Sequence, residues 1–113
     1  MKDDMVFIRH ILEEVNFIIK ETKALAYEGL LGNETLKRAV VRSLEIIGEV
    51  TKNLSKGFRD EHSYINWKEL TGLRDKLIHH YFGVKLTRVW DVIENIIPEI
   101  EDKLKSISKE YET

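Results

Sequence analysis

The chain has 113 residues and a mass of 13.3 kDa, enough for one hydrophobic core, and is read as a single domain over 1–113. It has no cysteine, which excludes a disulfide frame, a thiol nucleophile and a Cys-based zinc site, and fits a cytoplasmic location. A formal net charge of −2 argues against coating nucleic acid through bulk charge, so any RNA contact needs a local basic cluster. The charged fraction of 34% exceeds the usual share and is compatible with a thermophile, while no apolar run reaches membrane-spanning length and no signal-peptide pattern is visible.

Apolar spacing predicts an all-helical chain. From Met5 onward, Ile8, Leu12, Val15, Ile19, Thr22 and then Ala26 recur at three- and four-residue steps, widened by Phe7, Ile11, Ile18 and Leu25. Gly29 and Gly32 punctuate the end of this long first helix. Asn33 is the expected N-cap of a second helix with Leu36, Val40, Leu44, Ile47, Val50 and Leu54 on its apolar face, and Gly48 there would allow close helix approach. Residues 55–63 are polar, include Gly57 and show no period, which predicts a loop. Asn66 and Glu69 have capping-box spacing and should open a third helix that ends at Gly83. Thr87 is the expected cap of a fourth helix bearing Val89, Ile93, Ile96, Ile100, Leu104 and Ile107, kinked at Pro98 because the apolar pattern resumes beyond it. The expected architecture is an antiparallel four-helix-type bundle with a kinked last helix.

The third helix carries the chemistry. Arg74, His79 and Tyr81 stand at the spacing Arg-x4-His-x-Tyr. Arg remains charged and can hold phosphate oxygens in a fork, whereas His moves protons near neutral pH. At about 100° per residue Arg74 and Tyr81 lie nearly in line, but His79 is about 140° from Arg74. One helix therefore does not assemble the site cleanly, and a second subunit related by two-fold symmetry could complete it. Asp75 precedes His79 by four residues, where a carboxylate could fix the imidazole tautomer; an inconsequential surface pair has the same spacing. Lys37, Arg38, Arg42 and Lys76 could make a basic cluster if the second and third helices pack together, or Arg42 could pair with Glu45 or Glu49 on a solvated face. His80 is a poor joint metal ligand beside His79, and Glu-x-x-His occurs nowhere, so no metal site is expected. His10 and His62 read as surface residues, and Trp67 and Trp90 as core anchors at helix starts.

Three segments resemble one known family. They are Arg42-Ser43-Leu44-Glu45-Ile46-Ile47-Gly48-Glu49, Trp67-Lys68-Glu69-Leu70-Thr71-Gly72-Leu73-Arg74, and Arg74 through Val84. Together they are similar to the HepT-like branch of the HEPN ribonucleases, the toxin half of the HEPN/nucleotidyltransferase (type VII) toxin–antitoxin systems. Asp75 stands where the family most often has Asn, and Lys85 where an acidic residue is expected. The resemblance implies a HEPN-like bundle forming a homodimer, and a metal-independent endoribonuclease without a cofactor. His79 would be general acid or base on RNA, Arg74 would steady phosphate charge, and Asp75 would support them. Lys76, Arg38 and Arg42 would be RNA contacts. The implied partner is a minimal nucleotidyltransferase antitoxin, in a hetero-oligomer of unspecified size, that transfers AMP to Tyr81. Two alternatives stand beside this: a non-catalytic HEPN module that holds nucleotide or the nucleotidyltransferase, and a purely structural bundle.

Overall fold

In a computed structural model the chain is described over residues 2–79 and 86–111, with the backbone alone described at 2 and 74–79. The described residues form helices and no strand: α1 (Lys2–Thr22), α2 (Tyr27–Leu31), α3 (Glu34–Thr51), α4 (Lys56–Glu61), α5 (Trp67–His79), α6 (Leu86–Asp91), a π-helical turn (Val92–Ile96) and α7 (Ile97–Glu110).

The apolar stripes meet in one core. In α1 the fully buried line is Ile8, Ile11, Val15 and Ile18, with Met5, Leu12 and Ile19 half-buried beside it. The stripe is thus rotated from the line through 5, 8, 12, 15 and 19, because α1 lies between α3 and α7 and buries a wide arc against both. This helix stops at Thr22, whose buried Oγ1 donates to the Ile18 carbonyl at 2.7 Å, rather than running on towards Ala26. Ala26 is extended and precedes the short α2. Asn33 caps α3 as its side chain predicts, accepting from the Leu36 N–H at 3.0 Å. Val40, Leu44, Ile47 and Val50 are buried along α3, and Gly48 lies among them.

The segment 55–63 is not a plain loop, since it contains α4. Ser55 caps that helix by accepting from the Phe58 N–H at 3.2 Å, and Phe58 is fully buried. One large anchor on one and a half turns leaves no period to read. Asn66 caps α5, accepting from the Glu69 N–H at 3.0 Å, and Trp67, Leu70 and Leu73 are buried. Thr87 lies inside α6, after its first described residue Leu86, rather than before the helix as a cap.

Pro98 is accommodated by register. A proline has no N–H and its ring crowds the carbonyl four residues earlier. The turn before it is a π-helix, in which the Ile97 N–H reaches back five residues to the Val92 carbonyl. The wider turn advances the buried face, so Ile97 is fully buried and Ile96 only half-buried. Ile100, Leu104 and Ile107 then resume the stripe.

Helix directions follow from contacts at one end. Asp4, near the start of α1, hydrogen-bonds Ser55, just after the end of α3. Tyr111, at the end of α7, contacts Phe58 and His62, and Trp67, the first residue of α5, also packs on Phe58. The starts of α1 and α5 and the ends of α3 and α7 therefore share this end. With α7 packed on α1, α1 on α3 and α3 on α5, neighbours run antiparallel.

Candidate active site

A thirteen-residue helix, α5, carries Arg74 and His79 of the motif in its C-terminal half. Arg74, Asp75, Lys76 and His79 are backbone positions on it, and their side chains lie outside the described residues, as do His80, Tyr81 and Gly83 entirely. Because α5 runs antiparallel to α3, positions 74–79 travel back alongside the first half of α3, where Arg38 and Arg42 sit. The two helices with the expected RNA contacts are thus neighbours.

Arg38 and Arg42 nevertheless pair along their own helix. Arg38 Nε donates to Glu34 at 3.1 Å, and Arg42 Nη1 donates to Glu45 at 3.4 Å with Glu49 at 4.0 Å. Lys37 joins Glu34 at 2.9 Å, and hydrogen bonds from Lys37 and Arg38 hold the Glu34 carboxyl below its ordinary range. This is the solvated-face arrangement. Such exposed pairs are weak, so a phosphate backbone could compete for the arginines without a large penalty.

His62 corrects the surface assignment. It is 4% exposed, packs on the Phe58 ring at 4.6 Å, and has both ring nitrogens engaged. Nδ1 lies 3.1 Å from the Tyr64 hydroxyl and Nε2 3.4 Å from the Tyr111 hydroxyl. Burial raises both phenols above their ordinary value, and the nearby Glu110 adds to this at each. The spacing Phe58-x3-His62 was the available signal, since it puts the imidazole over the anchor of α4. Trp67 is a core anchor at the start of α5, its Nε1 donating to the carbonyls of Arg59 at 3.2 Å and His62 at 3.0 Å. Trp90 lies within α6, half-buried against Tyr27. His10 is exposed, as expected.

Asp4 is a second residue that sequence reasoning passes over. Its carboxylate is buried and accepts the Ser55 N–H and hydroxyl, each at 2.8 Å. Burial alone would raise its pKa, but the bonds from Ser55 are foremost among the interactions that together lower it. The partners are 51 residues apart, a separation that local patterns do not encode.

Among the described residues no helix is long and apolar enough to cross a membrane. No solved structure gives a significant match to the chain. Curated proteins do match along their length. A protein of Caldanaerobacter subterraneus subsp. tengcongensis named "Putative RNase" is 49% identical over 107 residues, covering 95% of this chain and 96% of that protein. Another of the same name from Methanocaldococcus jannaschii is 44% identical over 111 residues, covering 98% and 92%. The "Probable ribonuclease HepT" of Thermococcus cleftensis is 36% identical over 103 residues, covering 91% and 94%. The model of the family described as "Ribonuclease HepT-like" matches residues 11–107. With an all-helical bundle, near-full-length relatives and that match in agreement, the chain belongs to the HepT-like ribonuclease family.

Proposed function

We propose that this chain is a metal-independent endoribonuclease, acting as a homodimer and serving as the toxin of a pair with a nucleotidyltransferase antitoxin. The observation that carries the reading is the Arg74-x4-His79-x-Tyr81 set in a member of this family. The names of its relatives as RNases support the ribonuclease part. His79 would take the proton from the RNA 2′-hydroxyl or return one to the leaving oxygen, with Asp75 four residues earlier holding its tautomer. Arg74 would neutralise charge building on the phosphate. Lys76, Arg38 and Arg42 would hold the flanking backbone, the two arginines exchanging their weak carboxylate partners for phosphates. AMP transferred to Tyr81 would add negative charge and bulk seven residues along the chain from Arg74 and so exclude RNA.

Cleavage of a synthetic RNA in the presence of EDTA tests the chemistry. The products should be a 2′,3′-cyclic phosphate and a 5′-hydroxyl. His79→Ala should lower the rate by about 10²- to 10⁴-fold with helicity unchanged, and Arg74→Ala should also abolish cleavage. A loss below about tenfold at His79, or an equal loss at His80→Ala, would move the base elsewhere. Mass spectrometry after incubation with ATP and a cognate nucleotidyltransferase should place AMP on the Tyr81 peptide, and Tyr81→Phe should prevent it. AMP on another residue would displace Tyr81 as the switch while leaving the nuclease assignment intact.

A further inference from the structure

The corner between α4 and α5 holds an open groove of about 600 Å³ whose walls include Lys56, Arg59, Asp60, Tyr64 and Lys68. Three cations face one carboxylate there, in a chain whose overall charge is −2. The single carboxylate is already engaged, since Asp60 pairs with Lys56 at 2.8 Å on an exposed turn. Arg59 is half-buried, and its Nε is buried without a hydrogen-bond partner among the described residues. Its backbone is nevertheless pinned, because its carbonyl accepts from Trp67 Nε1. Lys68 is exposed, with no ion-pair partner among the described residues. Beside these cations Tyr64 is 55% exposed as a residue, while its hydroxyl is tied to His62 and its carbonyl accepts from Lys103 at 3.3 Å. An aromatic ring held still at one edge, in a groove where cations outnumber carboxylates, is the arrangement that receives single-stranded nucleic acid: bases stack and phosphates pair.

We propose that this groove is a second, non-catalytic subsite for single-stranded RNA, holding the strand away from the cleavage site. Tyr64 stacks a base, and Arg59 and Lys68 take the flanking phosphates. This rests on the ribonuclease reading for the direction of the strand, and the helix supplies that direction. Positions 68, 75 and 79 of an α-helix fall within about 40° of one another, so Lys68 shares a stripe of α5 with Asp75 and His79. Along that stripe the groove stands about 16 Å from His79, a span of a few nucleotides. An acidic polypeptide could be attracted by the same cations, but it would leave the exposed ring without a stacking partner.

Fluorescence anisotropy with a 2′-O-methyl oligouridylate of about twelve nucleotides measures binding alone, because that probe has no 2′-hydroxyl to react. Lys68→Glu should raise Kd about tenfold and reduce the salt dependence, whereas Lys105→Glu on α7 should change neither. Tyr64→Leu should weaken binding by roughly fivefold or more through the lost stack. Tyr64→Phe, which keeps the ring and removes the hydroxyl, should restore most of the affinity. Lys68 is exposed, so its variant tests the groove without touching the core. Absence of wild-type binding, wild-type affinity in both Lys68→Glu and Tyr64→Leu, or competition by polyglutamate as effective per charge as RNA would overturn the subsite. Cleavage of unmodified RNA with these variants binding normally would remove the groove and leave the nuclease. Groove-dependent binding without any cleavage would do the reverse.

Discussion

Asp4 links two points of the chain that nothing local connects. A carboxylate that accepts hydrogen bonds from the Ser55 N–H and hydroxyl is stabilised in its charged form, and the folded protein prefers it ionised. A depressed carboxyl pKa contributes stability above the unfolded value of about 3.9, and the contribution fades as pH falls through the lower folded value. Asp4→Asn should cost about 1–3 kcal/mol at pH 7 in urea unfolding, with the gap to wild type closing below about pH 4. A gap that stayed constant down to pH 2 would mean that the bonds to Ser55 do not depend on charge. His62 makes a related point about residue type. Histidine is usually read as surface or catalytic, yet here two tyrosine hydroxyls satisfy both nitrogens and let the ring serve as core packing.

At the scale of elements, caps were the most legible signals and registers the least. Asn33 and Asn66 cap the helices that their side chains announce. Helix α4 was hidden because a single buried phenylalanine and a serine cap create no repeat. The π turn before Pro98 shifts the last helix's core face by one residue, which fixed 3.6-residue spacing does not anticipate. Ile97→Ala should therefore cost about 2–5 kcal/mol, as for other fully buried large-to-small changes, and Ile96→Ala under half of that. Denaturation midpoints followed by circular dichroism compare the two; a larger loss at Ile96 would show that the face is not shifted.

For the whole molecule, the motif half of α5 lies beside the first half of α3 at one end, and the end bearing α4 gathers Asp4, His62, Trp67 and Tyr111. The proposed dimer follows from the helix arithmetic, in which Arg74 and His79 diverge by about 140° on one α5 and a symmetry mate can close the site. Exposed apolar side chains remain on the described surface as well, Val6 and Phe17 lying on one side of α1. Light scattering at micromolar concentration should give twice 13.3 kDa, and a stable monomer with full cleavage activity would refute the symmetric site.

The sequence by itself determined the all-helical class, both asparagine caps, most core positions and the family, because these depend on short-range spacing and on residue identity. It also sets Arg74, His79 and Tyr81 at the spacing Arg-x4-His-x-Tyr, as a pattern along the chain. Only the tertiary structure decided where the stripes meet: the rotation of α1 between two neighbours, the burial of His62, the Asp4–Ser55 link and the Tyr64 groove. The first three involve partners distant in sequence, while the groove is made by residues 56–68 only because the chain turns a corner between α4 and α5. Local periodicity records which face of a helix is apolar, and packing alone determines which part of that face is buried and which polar group finds a partner there.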